Sequence, residues 1–153
     1  MILSIYNEQQ DLPLSVKSVE RMVLFLLDVL SISTDEIIIH FVTKKKISQI
    51  HQDFFDDPSP TDCITFPIDS PNDEPTGHSI LGELFVCPKI AIEYGKKHQI
   101  DPYEETSRYV IHSLLHLIGY DDLTPDEYTQ MHAKENSCVE LLIQNKMFIE
   151  RIT

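Results

Sequence analysis

The stretch His112-Ser113-Leu114-Leu115-His116-Leu117-Ile118-Gly119-Tyr120-Asp121-Asp122 constrains the fold more than any other part of this chain. Its leucines and isoleucine fill the positions that bury a helix, and Gly119 stands where a left-handed C-cap would end one. His112 and His116 are four residues apart, so on a helix they lie one above the other on the same face. Past Gly119 the chain can double back and bring Asp122 towards the two imidazoles. Two neutral imidazoles and one carboxylate form a three-ligand set with an open position, the arrangement of a catalytic zinc. The plainer alternative is a pair of hydrogen-bonded histidines on a buried helix.

A chain of 153 residues suits one domain spanning 1–153. Hydrophobic residues make up 42% and charged residues 24%, the balance of an ordinary globular protein. No stretch reaches the roughly 18 consecutive apolar residues of a membrane span; the longest, Met22 to Leu30, carries Asp28. Met1 to Tyr6 has no basic n-region, so no signal peptide is expected. Cys63, Cys87 and Cys138 are far apart and form no CxxC pair, which fits buried thiols in a reduced, cytoplasmic protein. The net charge of −13 argues against nonspecific polyanion binding, which Lys and Arg drive. A local basic groove stays open: Lys44-Lys45-Lys46 is the one basic run of three, and Lys96-Lys97 a lesser one, each read first as a solvated face.

Periodicity and punctuation predict the order β-α-β-α-β-β-α-α-α. Ile2 to Tyr6 reads as a strand, and Ser15 caps a helix with Val16, Val19, Val23, Leu26, Leu27 and Leu30 on its apolar side. Ile37 to Val42 is a second strand, and Lys45 to Phe55 a short helix with Ile47, Ile50 and Phe54 on one face. After the proline-punctuated loop Asp56 to Asp62 come strands at Cys63 to Ile68 and Ile80 to Cys87. The loop Asp69 to Ser79 between them is the expected mobile segment. Pro88 and Pro102 open helices, and Thr124-Pro125 opens the last one, with Tyr128, Met131, Val139, Leu142 and Ile143 as its buried side. The fold class is α+β: one small mixed sheet of about four strands with helices packed on it, and the metal site at the end of a central helix. The two strands flanking the long loop suit a hairpin, and the helical crossovers before them suit parallel neighbours.

A zinc held by three protein ligands acidifies a bound water and supplies a nucleophile for hydrolysis of an ester, amide or phosphodiester. Zinc proteases of the HExxH type place a general-base Glu directly after the first His. Ser113 occupies that position and cannot serve, which argues against peptidase chemistry. Asp121 and Glu83 are candidates for a catalytic base, each with a plainer reading as a turn residue and an edge-strand charge. Asp121 can also orient an imidazole N–H. His132, on the next helix, competes with Asp122 as third ligand.

The histidine string resembles the signature H-G-x-L-H-L-x-G-Y-D-H of the YbeY endoribonuclease family. The likeness continues in Pro60-Thr61-Asp62-Cys63-Ile64-Thr65-Phe66-Pro67, against P-T-D-V-L-S-F-P, and in Gly82-Glu83-Leu84, against G-D-I. The resemblance implies a zinc-dependent, single-strand-specific endoribonuclease acting in maturation of the 3′ end of small-subunit ribosomal RNA and in ribosome quality control. It implies one zinc per chain on the positions matching His112, His116 and Asp122. Its implied partners are single-stranded ribosomal RNA, the ribosomal small subunit, a ribosomal protein and an assembly GTPase, with no membrane. Two departures stand out. The family's third ligand is usually His, where this chain has Asp122, an acceptable but anionic donor that suits harder metals somewhat better. The family's Arg before P-T-D aligns with Phe55, so a natural phosphodiester clamp is missing. Thr61 and Asp62 read equally as turn residues and as substrate contacts. Two other functions stay open: a ribosome-associated assembly factor with a structural metal and little nuclease activity, and a metallohydrolase of small molecules.

Overall fold

The computed structural model describes residues 1–71 and 77–153. Its elements are β1 (Ile2–Asn7), α1 (Val16–Val29), β2 (Glu36–Phe41), α2 (Lys44–Phe55), β3 (Cys63–Pro67), β4 (Ile80–Val86), α3 (Pro88–His98), α4 (Pro102–Leu117) and α5 (Pro125–Asn145), in the predicted order. The expected mobile loop, Asp69 to Ser79, includes residues 72–76, which lie outside the described residues. Among the described residues no helix is long and apolar enough to cross a membrane.

The four strands form one mixed sheet in the order β1-β2-β4-β3. β1, β2 and β4 run parallel, and β3 pairs antiparallel with β4 as the expected hairpin. One expectation fails. β2 and β3, joined through α2, are not neighbours, because β4 lies between them. The reason lies in the strands themselves. β4 buries Leu81, Leu84 and Val86, as a central strand does, whereas β3 is five residues long and ends on Pro67, whose missing N–H suits an edge.

Local chemistry sets the helix ends. Ser15, Thr43, Asp101 and Thr124 each accept a hydrogen bond from a backbone N–H of the first turn that follows, and α3, α4 and α5 each carry an early proline. Ile37, Ile39 and Phe41 of β2, with Leu84 and Val86 of β4, point to one face of the sheet. There they pack with Val19, Val23 and Leu26 of α1 and with Val110, Leu114 and Leu117 of α4. Each such side chain contributes about 1.5–3 kcal/mol on burial. A smaller cluster of Val42, Ile47, Ile50, Ile64 and Cys87 holds α2 to the other face.

Two apolar faces differ from their sequence-based assignment. Phe54 does not join Ile47 and Ile50; its side chain is 68% exposed. On α5 the buried stripe is Met131, Glu135, Cys138 and Leu142, while Tyr128 and Ile143 are exposed. Tyr128 stacks instead on His132, one turn along the same helix, with 5.6 Å between ring centroids.

Candidate active site

α4 is the central helix, in contact with β3, β4, α3 and α5. Its carbonyl end is shaped by glycine. Gly119 adopts φ +106°, the N–H of Gly119 donates to the carbonyl of His116, and that of Tyr120 to the carbonyl of Leu115. The reversal carries Asp122 back over the last turn of the helix. Its Oδ2 lies 3.8 Å from His112 Nε2 and 3.9 Å from His116 Nε2.

The imidazoles are fixed from behind. His112 Nδ1 faces the Glu135 carboxylate at 3.0 Å, and His116 Nδ1 faces the Tyr120 carbonyl at 3.0 Å. Both partners only accept, so in the neutral rings both Nδ1 atoms carry the proton, a tautomer assigned from these contacts. The two Nε2 lone pairs then face each other at 3.1 Å. Two acceptors that close repel unless a cation, or a shared proton, sits between them. The three donor atoms lie within 4.8 Å of one another. Zinc–nitrogen and zinc–oxygen bonds of about 2.0–2.2 Å give a tetrahedral edge of roughly 3.3–3.5 Å, so separations of this size fit a single small dication. The donor set, two imidazole nitrogens and a carboxylate oxygen, suits zinc and also tolerates harder divalent ions.

Glu135 comes from the buried stripe of α5 and is only 7% exposed. It also accepts from Arg108 Nη1 at 3.0 Å, and Arg108 Nη1 donates in turn to Asn136 Oδ1 at 2.9 Å. Burial alone pushes the Glu135 carboxyl up, but the hydrogen bonds and charges of His112 and Arg108 outweigh it and hold the group below its ordinary value. Conversely, the hydrogen bond to Glu135 raises His112 from its ordinary value, against the opposing effect of burial.

In front of the histidines opens a pocket of about 450 Å³. His112, His116 and Asp121 line it together with His51, Phe55, Thr61, Asp62 and Thr65. Among its described lining residues there is no Lys or Arg. A model of the Endoribonuclease YbeY family matches residues 4–142. The chain belongs to the YbeY endoribonuclease family. A Chlamydia felis protein named Endoribonuclease YbeY is 48% identical over 139 residues, covering 89% of this chain and 87% of that one. One of the same name from Protochlamydia amoebophila is 44% identical over 135 residues, covering 88% and 89%. A solution structure of a Thermotoga maritima protein is similar with a TM-score of 0.63 at 25% identity, covering 91% of this chain and 87% of that one.

Within this YbeY-family fold the candidate residues part company. His112, His116 and Asp122 come together, and Asp121, Thr61 and Asp62 lie at the same pocket. Asp121 Oδ1 accepts from the N–H of Asp122 at 2.9 Å, and so helps hold the return loop. Asp62 Oδ1 accepts from the N–H of Cys63 at 2.7 Å. Glu83 is engaged elsewhere, accepting from His40 Nε2 at 2.7 Å. His132 is exposed against Tyr128, outside the cluster. Lys44 pairs with Glu93 at 3.0 Å, so the basic run at the start of α2 does not supply the missing arginine to the pocket. Glu135 is the participant that sequence reasoning missed. Its signal was a carboxylate in register with Met131, Cys138 and Leu142, which an apolar stripe does not otherwise tolerate.

Proposed function

We propose that this endoribonuclease holds one zinc ion on His112, His116 and Asp122 and cuts single-stranded ribosomal RNA. Its place is the cytoplasm, where it trims the 3′ end of small-subunit ribosomal RNA and takes part in ribosome quality control. The observation that carries the metal is the pair of Nε2 acceptors facing each other at 3.1 Å, with a carboxylate oxygen closing the triangle. His112, His116 and Asp122 would hold the ion, which would supply Lewis-acid chemistry suited to phosphodiester hydrolysis.

The chain's own groups do the rest. Glu135 and the Tyr120 carbonyl keep the Nδ1 protons in place, so that both Nε2 atoms stay directed inward. Ser113 is buried beside His112 and carries no base, in line with phosphodiester rather than peptide hydrolysis. Asp121 lines the pocket and is the carboxylate assigned here to take a proton from the attacking water.

The test is cleavage of a single-stranded RNA by the purified chain. Cleavage that stops with EDTA, returns with zinc and is absent in His116→Ala supports the reading. A zinc-loaded chain that binds ribosomal particles but cuts no RNA defeats it. That outcome favours an assembly factor, the reading that draws on the absence of a cationic side chain among the described pocket residues.

A further inference from the structure

The pocket has an aromatic wall that the metal does not use. Phe54 and Phe55 form the last turn of α2, with side chains 68% and 55% exposed. Two neighbouring phenyl rings at that exposure forgo more than half of what full burial would contribute. Both are nevertheless rigidly mounted. Phe54 meets Phe66 edge-on at 5.0 Å, and Phe55 lies 25° from parallel to Phe66 at 6.3 Å. Phe66 leans in turn on Phe85 at 5.8 Å, and both pack on the cluster beneath α2. The helix ends directly after the rings, where Asp56 takes a left-handed conformation at φ 55° and its N–H returns to the Gln52 carbonyl. His51, one turn before Phe55, donates from Nδ1 to the Ser59 carbonyl at 2.8 Å and lies 5.7 Å from the Phe55 ring. Phe55 and His51 therefore line the same pocket as the two histidines of the candidate metal site.

The charge of the site says what this wall is for. With net charge −13, with Asp62 and Asp121 at the pocket and no Lys or Arg among its described lining residues, the pocket offers phosphates no cationic side chain. Attraction must come from the uncharged part of a nucleotide. We infer that Phe55, backed by Phe54 and Phe66, is a nucleobase-stacking subsite that holds a base beside the scissile phosphate. This rests on the endoribonuclease reading of the pocket and deepens it. A base can lie on Phe55 only when it has left a helical stack, so the subsite also selects single strands. Every base has a π-face, so the contact discriminates little among sequences, and it adds little salt dependence.

The test uses the zinc-loaded full chain, short single-stranded RNA oligomers and the same oligomers with one abasic nucleotide at successive positions. Phe55→Leu keeps apolar bulk but has no π-face, and Phe55→Tyr keeps the ring. Phe55→Leu is expected to lower kcat/KM by about 5- to 150-fold, chiefly through KM, while Phe55→Tyr stays within about twofold of the original chain. Zinc content and melting temperature stay unchanged in both, since the side chain is exposed. At one position the abasic nucleotide lowers cleavage by the original chain by a similar factor and leaves Phe55→Leu unaffected, because the two changes remove the same contact. Equal kcat/KM for Phe55→Leu and the original chain, as a protein-docking patch would give, overturns the subsite while leaving the nuclease intact. An abasic penalty equal in both chains overturns it as well. A chain that neither binds nor cuts RNA removes the nuclease reading and the subsite together.

Discussion

Replacing Glu135 by Gln changes one buried charge and almost no volume. In the native arrangement each carboxylate oxygen accepts one hydrogen bond at 3.0 Å, from His112 and from Arg108. Glutamine can accept only one of them, and its amide N–H₂ then faces a second donor. A charge-assisted hydrogen bond is worth about 1.5–3 kcal/mol against about 0.5–1.5 for a neutral one. The His112 bond therefore weakens by about 1–1.5 kcal/mol if glutamine keeps it, and is lost if glutamine turns its oxygen to Arg108. Losing the partner that orients a ligating imidazole lowers metal affinity by about 10- to 100-fold, or roughly 1.4–2.7 kcal/mol. Competition against a zinc chelator of known affinity measures the change, and urea unfolding of the zinc-free chain shows separately what the Arg108 contact contributes. A Glu135→Gln chain that folds and holds zinc as tightly as the original would refute the argument that His112 is oriented from α5.

Three other outcomes follow from the same geometry. Asp122→Ala is expected to lose most of its zinc by elemental analysis while His132→Ala keeps it, and the reverse result would move the third ligand to α5. Gly82→Ala places a Cβ 2.3 Å from Leu117 Cδ2 and 2.7 Å from the Phe66 carbonyl oxygen. The leucine can swing but the β3 backbone cannot, so a loss of about 1–3 kcal/mol is expected in chemical denaturation, and no loss would mean that β3 is looser than its pairing implies. Glu105 is 7% exposed, and burial raises its carboxyl above 4.5 despite opposing contributions from Tyr109 and Arg108. A group with a raised folded pKa stabilises most below its unfolded value and loses that contribution as pH rises through the folded value. Glu105→Gln should therefore melt increasingly above the original chain from pH 4 to 7, and a difference independent of pH would contradict this.

Much of this molecule is written in local chemistry. Ser15, Thr124-Pro125 and the prolines at 88 and 102 mark helix starts because capping and proline preferences act within one turn. The spacing of His112 and His116, with Gly119 behind them, reveals the candidate site for the same reason. What stayed hidden depends on contacts between distant segments. The place of β4 between β2 and β3 is marked locally only by Pro67 and the shortness of β3, and pairing between distant strands decides it. Glu135 reads as one more surface acid until α5 lies against α4. Phe54 fits the apolar face of α2 by periodicity, yet the folded chain offers it only the edge of Phe66 and leaves most of the ring exposed.

The reversal at Gly119 has an evolutionary consequence. His112 and His116 belong to a helix whose other faces are buried, so changing them disturbs packing as well as chemistry. Asp122 hangs from the return loop, with a side chain 38% exposed. The identity of that donor can change without repacking a single core residue. One substitution there alters the charge of the site by a full unit, trading a firmer grip on a dication against a stronger pull on an approaching phosphate. The fold thus keeps its geometry and its electrostatics on separate, independently adjustable parts of the chain.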